Sequence, residues 1–430
     1  MSNHPSVPGD IEAGRERGAV RSVEADISIS GADHEDFAVR YEDRPWNADA
    51  TAAMSRRSRM KARGPYQAAI TPEVAERNFR LRADVEAEAA DALVEITRFD
   101  AEPSSIPAEF GGLAPLAAVL LRTESASSSQ IENVTAGAKA LALASINEKA
   151  GPNARMVASN VAAMQRAIEM AEDLNEKTLL AAHAALMGGH EYARPGSYRD
   201  GQVWIGGAAA TPHAASFVPP HADRVPAAMT DLINFCHRAD VPVLVHAAIA
   251  HAQFEAIHPF ADGNGRTGRA LVHVLLKRAR ATVRLTVPLS AGLLVDTASY
   301  FDALTAYRAG DASPIVERFS QAAFAAVSNG RRLDRDLADL YAEWEHVIRA
   351  RRDAAVWRVL PHLVSQPAVT VRFVQEAAGV SQPAAQNAID QLVEASVVRP
   401  ASANRRNRVW VADGVIDALD DFAARVGRRG

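Results

Sequence analysis

The sequence predicts an all-α protein, an expectation that rests on three observations. Apolar residues recur at three- and four-residue spacing through most of the chain. One short interval near position 200 breaks that habit with strand-favouring residues, and a change of composition after Arg352 marks off a smaller terminal module.

Taken in order, residues 1–45 mix Pro, Gly, Ser and both signs of charge without apolar periodicity, so a disordered tail is expected there. From Pro72, a residue tolerated in a first helical turn, the pattern Val74, Phe79, Leu81, Val85, Ala89, Leu93, Ile96, Phe99 predicts a helix over 73–100. The same habit predicts helices over 113–122, 131–146, 157–170, 179–187 and 225–235, and again over 245–257, 265–280, 299–308 and 315–348. The exception is 196–207, where Val203, Trp204 and Ile205 follow an Asp200-Gly201 turn signal and predict a small β-hairpin. Past Arg352, helical stretches at 356–363, 371–379 and 382–394 precede β-like pieces at 397–399 and 408–411, the succession of a winged helix-turn-helix. The chain thus divides into a tail (1–45), an N-terminal helical region (46–150), a core (151–330), a connecting helix (331–354) and the terminal module with its tail (355–430).

Bulk properties narrow the function classes. A chain of 430 residues suggests two or three domains, and 48% hydrophobic with 23% charged residues suits a protein folding in water. A net charge of -5 gives no global field to draw in nucleic acid or a membrane surface. The lone Cys236 cannot form an internal disulfide and reads as a small buried apolar residue. A polar start without a signal-peptide core, and no long apolar run, predict a cytoplasmic protein without membrane contact.

The densest chemistry lies in His258-Pro259-Phe260-Ala261-Asp262-Gly263-Asn264-Gly265-Arg266-Thr267-Gly268-Arg269, between two helical stretches. Pro259 turns the chain out of the helix, while Gly263 and Gly265 permit backbone angles that aim successive N–H groups into one concavity at the next helix start. Such a concavity suits phosphate, and Arg266 and Arg269 on neighbouring turns add forked cationic donors. Asp262 offers a hard oxygen ligand suited to Mg²⁺ beside the phosphates. His258, at the preceding helix end, is suited to take a proton from an incoming hydroxyl near neutral pH. Gly263, Gly265 and Gly268 match a dinucleotide fingerprint by letter, but they follow a helix rather than a strand. His246, His251 and His258 lack the i, i+4 spacing of a zincin helix.

This segment resembles the signature of the Fic family, His-Pro-Phe-x-Asp/Glu-Gly-Asn-Gly/Lys-Arg-x-x-Arg, at every fixed position. The resemblance implies a Fic helical core that moves AMP from ATP to a Ser, Thr or Tyr hydroxyl of a protein target and of the chain itself. It implies His258 as general base and Asp262 as the Mg²⁺ ligand. Gly263, Asn264 and Gly265 become the anion hole, Arg266 a phosphate contact and Arg269 the holder of the γ-phosphate, so that the whole run including Thr267 and Gly268 is nucleotide-binding. The family's flap, which aligns a target by strand addition, would be the hairpin, with Val203, Trp204, Ile205 and Gly206 at its heart. Tyr300-Phe301-Asp302 through Asp311 is similar to the family's adenosine-side helix, with Tyr300 covering the base; Arg308 stands where many relatives have Asn.

Upstream, Ser128-Ser129-Gln130-Ile131-Glu132-Asn133 resembles the family's inhibitory motif, Ser/Thr-x-x-x-Glu-Gly/Asn. It implies that Glu132 pairs with Arg269 through a two-bond fork and occupies the γ-phosphate position. The alternative is a helix start, with Ser128 as N-cap and Glu132 as a first-turn carboxylate. In the terminal module, Gln382, Gln386 and Asn387 on a recognition helix and Arg405, Arg406 and Arg408 on a wing suit DNA; a protein, or a second copy of the chain, is the competing partner. A nucleotide-sensing transcription regulator and a hydrolase removing AMP from a modified protein are the alternative functions.

Overall fold

A computed structural model describes residues 37–46, 62–108, 111–146, 150–206, 211–401 and 408–427. It is mostly helical. A two-stranded antiparallel ribbon, β1 (Arg40–Arg44) and β2 (Tyr66–Ile70), pairs Arg40 with Ile70 and Arg44 with Tyr66. Then follow α1 (Ala83–Ala101), α2 (Leu113–Ile131), α3 (Ala138–Ser145), α4 (Pro152–Glu169) and α5 (Glu176–Leu186). Next come α6 (Val225–Cys236), α7 (Val243–Ile257), α8 (Asn264–Arg278), α9 (Leu289–Leu294), α10 (Thr297–Arg308) and α11 (Ser313–Val347). The terminal module holds α12 (Ala355–Ser365), β3 (Ala368–Val369), α13 (Val371–Ala378), α14 (Gln382–Glu394), β4 (Arg399–Pro400), β5 (Trp410–Val411) and α15 (Asp413–Gly427).

Helix α7 is the central rod: every residue from Leu244 to Ile257 is buried, including His246, His251, Gln253 and Glu255. Ala-rich turns let α8 and α11 approach it closely, and each fully buried Leu, Ile or Phe contributes about 1.5–3 kcal/mol of apolar burial. Two of these polar groups are braced by hydrogen bonds, His246 Nε2 with Phe235 O at 2.9 Å and Gln253 Oε1 with the Tyr307 hydroxyl at 2.9 Å. The rod therefore ends at a fixed point in space, where His258 stands. Cys236 is buried, and burial pushes its thiol up to about 12.

Several boundaries differ from the sequence expectation, each for a physical reason. Residues 37–46 are not tail: β1 pairs with β2, and Phe37 packs edge-on against Phe79 and Tyr307. The helix expected from 73 begins at Ala83, because the Asp231 carboxylate accepts the Val74 and Ala75 amides at 2.7 and 3.1 Å and holds that stretch in a turn. Helix α2 runs on to Ile131 through a Ser-rich stretch without apolar periodicity, with Ser125 and Ser129 hydroxyls donating to the carbonyls four residues back. The chain then turns at Asn133, whose φ is 60°, and helix resumes only at Ala138.

No hairpin forms within the described part of 196–207, residues 196–206. Instead Ile205 makes an isolated antiparallel bridge to Phe217, with Ile205 N donating to Phe217 O at 2.8 Å. Arg199 fixes the start of this segment to the body, so its own halves do not pair. In the terminal module the strands order as β3-β5-β4, all antiparallel. The tip expected to carry Arg405 and Arg406 lies outside the described residues. The module's core is continuous with the body: α15 returns to α11, where Arg425 Nε donates to Asn329 Oδ1 at 2.5 Å, and Tyr341 on α11 donates to Leu360 O at 3.1 Å. The core's last helix and the expected connecting helix are one element, α11. Among the described residues, no helix is long and apolar enough to cross a membrane.

Candidate functional site

The site is the junction of α7 and α8. Helix α7 terminates at His258 in the left-handed conformation, φ 50° and ψ 62°, which disfavours a residue with a Cβ by about 1–2 kcal/mol. Arg199 holds it there. Its Nε donates to His258 O at 2.8 Å, and Nη2 donates to Pro220 O at 2.5 Å and to Ile257 O at 3.4 Å. Its amide adds a bond to Pro259 O at 3.0 Å. Burial lowers the Arg199 guanidinium to about 10, still charged at neutral pH. A cation at the end of α7 also complements the helix dipole.

The turn is self-bracing. Asn264 clamps Phe260 at both ends, accepting from its amide and donating to its carbonyl at 2.8 Å each. The Phe260 ring stacks on His183 at 3.6 Å, and His183 Nε2 lies 3.0 Å from Asp262 O. The Gly196 amide donates to His183 Nδ1, which assigns the proton to Nε2; burial lowers this imidazole to about 4 and keeps it neutral. Gly263, at φ 81°, starts α8, whose first N–H groups have no intrahelical acceptor. Asp262 stands at the rim, with Oδ1 accepting the Gly263 amide at 2.6 Å and Oδ2 accepting the Tyr192 hydroxyl at 3.1 Å. Arg266 is 3% exposed; Nη2 reaches Asp262 at 3.4 Å, while Nε and Nη1 are buried without a partner. Burying guanidinium nitrogens without partners is costly, which sets Arg266 apart from the paired Arg269.

Beside it Arg269 pairs with a carboxylate. The Glu132 carboxylate sits over Gly265, so close that a Cβ at Gly265 would overlap Glu132 Oε1. Arg269, 2% exposed, donates from Nη2 to Glu132 Oε1 at 2.9 Å and to Ser128 O at 2.7 Å, and from Nε to Ser128 Oγ at 2.9 Å. Burial pulls this guanidinium down, but Glu132, Tyr300 and Glu255 together more than restore it and raise its affinity for the proton. The expected two-bond fork from Glu132 is thus a single bond, with Ser128 accepting from Nε and from Nη2. Glu132 caps the C-terminus of α2, so the helix-start reading of Ser128 and Glu132 does not hold. A carboxylate there opposes the helix dipole, a cost of about 0.3–1 kcal/mol that the Arg269 contact offsets.

A second carboxylate lies beneath His258. Glu255 Oε2 is 3.6 Å from His258 Nδ1. Burial raises the Glu255 carboxyl, but His258, His251 and Arg269 outweigh it and hold the group at about 2, so it is ionised. The sequence reading missed Glu255, His183 and Arg199 as site residues. Glu255 lies three residues before His258 on one helix face, a signal that was legible; the other two are joined to the site only by the fold.

Three expected nucleotide contacts face elsewhere. A Cβ at Gly268 would lie 3.0 Å from Phe254 and 3.1 Å from His251, so this glycine serves close packing of α8 on α7. Thr267 lines an apolar cavity between α4, α5 and α8. Tyr300 is 1% exposed with its hydroxyl 2.7 Å from His251 Nε2, which makes it a floor beneath Arg269 rather than a cover for a base. In the flap segment Trp204 packs edge-on to Trp46, and Gly206, at φ 79°, leaves room for Ser216. Val203 O accepts from Gln202, and Arg308 lies 4.4 Å over the Phe217 ring, tying α10 to the strand that pairs with Ile205.

Comparison with known proteins follows this geometry. The Fic/DOC family model matches residues 173–276. Relatives named protein adenylyltransferase Fic, from Drosophila sechellia and Drosophila yakuba, are 33% and 34% identical over 110 residues, 25% of this chain and 20% of theirs. The chain therefore spans about a fifth of the length of these curated relatives. A crystal structure of a Fic family protein from Desulfovibrio desulfuricans superposes on 78% of this chain and 97% of its own, with 23% identity and a TM-score of 0.49. The matched segment takes in the α7–α8 junction and its complete signature, so residues 173–276 form a Fic/DOC family domain within this chain.

Proposed function

We propose that this chain is a protein adenylyltransferase that uses ATP and is restrained by its own Glu132. The observation that carries the reading is the carboxylate lodged over Gly265 against Arg269, an internal anion at a helix N-terminus built for phosphate. The domain match and the relatives' name support the reaction class. In this reading His258 accepts the proton of an incoming protein hydroxyl, whose oxygen attacks the α-phosphorus of ATP as the bond to the β-phosphate oxygen breaks. Pyrophosphate leaves, and AMP is bound to the hydroxyl through a phosphodiester. Arg266, with its two unsatisfied nitrogens, holds phosphate oxygens, and Arg269 holds the γ-phosphate once Glu132 has withdrawn.

Mg²⁺ fits the donor set. Asp262 is a hard ligand, 38% exposed at the rim, and among the described residues no cluster of three or more His, Cys, Asp or Glu could hold a metal unaided. One carboxylate completed by phosphate oxygens is an ordinary magnesium environment, and the ion would neutralise charge developing on those oxygens. In the same reading 203–206 would align the target by main-chain pairing along the edge left beside the Ile205–Phe217 bridge. The β3-β5-β4 sheet behind α12 to α14 supports a winged-helix reading of the terminal module, with DNA or protein as its partner.

The test is intact-protein mass spectrometry after incubation with ATP and Mg²⁺. Glu132→Gly is expected to gain an AMP mass, the parent little, and Glu132→Gly with His258→Ala none. No AMP on Glu132→Gly, either alone or with added cell-extract proteins, would remove the reading; loss of AMP from pre-modified chain would favour hydrolysis instead.

A further inference from the structure

Helices α2 and α8 meet through a regular polar ladder. Glu132 lies over Gly265, Ser128 binds Arg269, and Glu124 lies against His273, with its Oε1 2.9 Å from the ring Nε2. The rungs are four residues apart on each helix and run in opposite directions, so each lies one turn from the next along a single facing stripe. The first two rungs belong to the nucleotide site. The third is remote from it and buried, Glu124 at 0% and His273 at 3% exposure.

Glu124 also receives both donors of Ser290 on α9, the amide at Oε2 (2.8 Å) and the hydroxyl at Oε1 (2.5 Å). A buried carboxylate is costly unless donors meet it, and Ser290 supplies two, while His273 Nε2 stands close to it without a hydrogen bond. The first half of α2 is anchored by the buried Leu116, Val119 and Leu120, whereas its second half buries Ser125, Ser127, Ser128 and Ser129. Small hydroxylated side chains bury little apolar area, so this half-helix depends on polar contacts for its position. Asn160 on α4 supplies some of these, donating to Ser125 O at 2.7 Å and Ser129 Oγ at 3.1 Å. Glu124 is the rung that meets both α8 and α9.

We infer that Glu124, bonded to Ser290 on α9 and packed against His273 on α8, is a positioning residue for the Glu132 brake: it sets the register of α2 on α8 and hence how far the Glu132 carboxylate reaches over Gly265. The inference rests on the reading of Glu132 as a brake, but the physical latch is separable from it. A glutamine at 124 keeps the size and offers one acceptor oxygen, so at least one of the groups facing it must meet an NH₂ instead.

Two measurements on the full chain test this. Amide hydrogen exchange needs no enzymatic activity: Glu124→Gln is expected to speed exchange about tenfold or more over 126–134, leaving 116–121 unchanged, with Ser290→Ala showing a smaller effect of the same kind. AMP incorporation is expected to rise severalfold in Glu124→Gln over the parent, yet to show no further rise when Glu124→Gln is added to Glu132→Gly. Unchanged exchange over 126–134 in both variants would overturn the latch, as would activation of equal size in the Glu132→Gly background. If Glu124→Gln fails to fold, Ser290→Ala decides by the same two readouts. An inactive Glu132→Gly would count against the brake alone, with exchange still deciding the latch.

Discussion

Glu132 Oε1 stands 2.9 Å from Arg269 Nη2, and the two residues come from helices 137 positions apart in sequence. The contact joins a buried cation to a carboxylate that remains 38% exposed. The carboxylate can therefore leave for water at small cost, whereas the guanidinium cannot.

Removing that carboxylate takes from Arg269 the partner that most offsets its burial and leaves it with Ser128, Tyr300 and the more distant Glu255. Glu132→Gly is expected to lose about 1–3 kcal/mol of stability in urea titration, with the lower end favoured by the exposure of Glu132. Added ATP should restore stability to this variant by mass action while affecting the parent much less. An identical response of the two chains would show that carboxylate and phosphate do not compete.

Arg199 keeps His258 in its left-handed conformation through the carbonyls of Ile257, His258 and Pro259. In a Glu132→Gly background, Arg199→Met should lower kcat for AMP transfer about tenfold to a hundredfold through misplacement of the imidazole. ATP affinity by calorimetry should stay within about threefold, since the phosphate contacts proposed above come from α8. Loss of ATP binding with a normal kcat would show that Arg199 serves the cradle instead.

Gly268 lies inside the signature but faces Phe254 and His251. Gly268→Ala is expected to destabilise by about 1–3 kcal/mol, as overpacking between two buried helices does. Its ATP affinity, corrected for the folded fraction, should match the parent. A variant of unchanged stability and abolished ATP binding would return Gly268 to the nucleotide site.

Glu255 has a folded value of about 2 against 4.5 for the free group, despite its burial. A carboxyl depressed on folding contributes stability that is complete above the unfolded value and lost as pH falls through the folded one. The stability of the parent should thus decline between about pH 4.5 and 2 more steeply than that of Glu255→Gln, as followed by circular dichroism. Parallel acid limbs would mean that Glu255 is not ionised in the native protein.

Much of this was legible in the chain itself. A helical period, a proline that ends α7 and glycines that open α8 are local features, and local backbone preference together with apolar spacing suffices to announce them. The junction's chemistry was equally local, since His258, Asp262, Arg266 and Arg269 fall within one turn and its flanking helix. Glu132 was visible only through its resemblance to a known motif, for nothing in Ser128-Ser129-Gln130-Ile131-Glu132 says whether a helix starts or stops there. The three-dimensional arrangement decided that, because buried hydroxyls bonded to carbonyls one turn back carry α2 through a stretch with no apolar stripe. It also turned Tyr300 and Gly268 inward and paired Ile205 with Phe217 instead of within a hairpin. Which face of a helix meets solvent, and which strand finds which partner, depends on neighbours brought close by burial, and that information is spread over the whole chain.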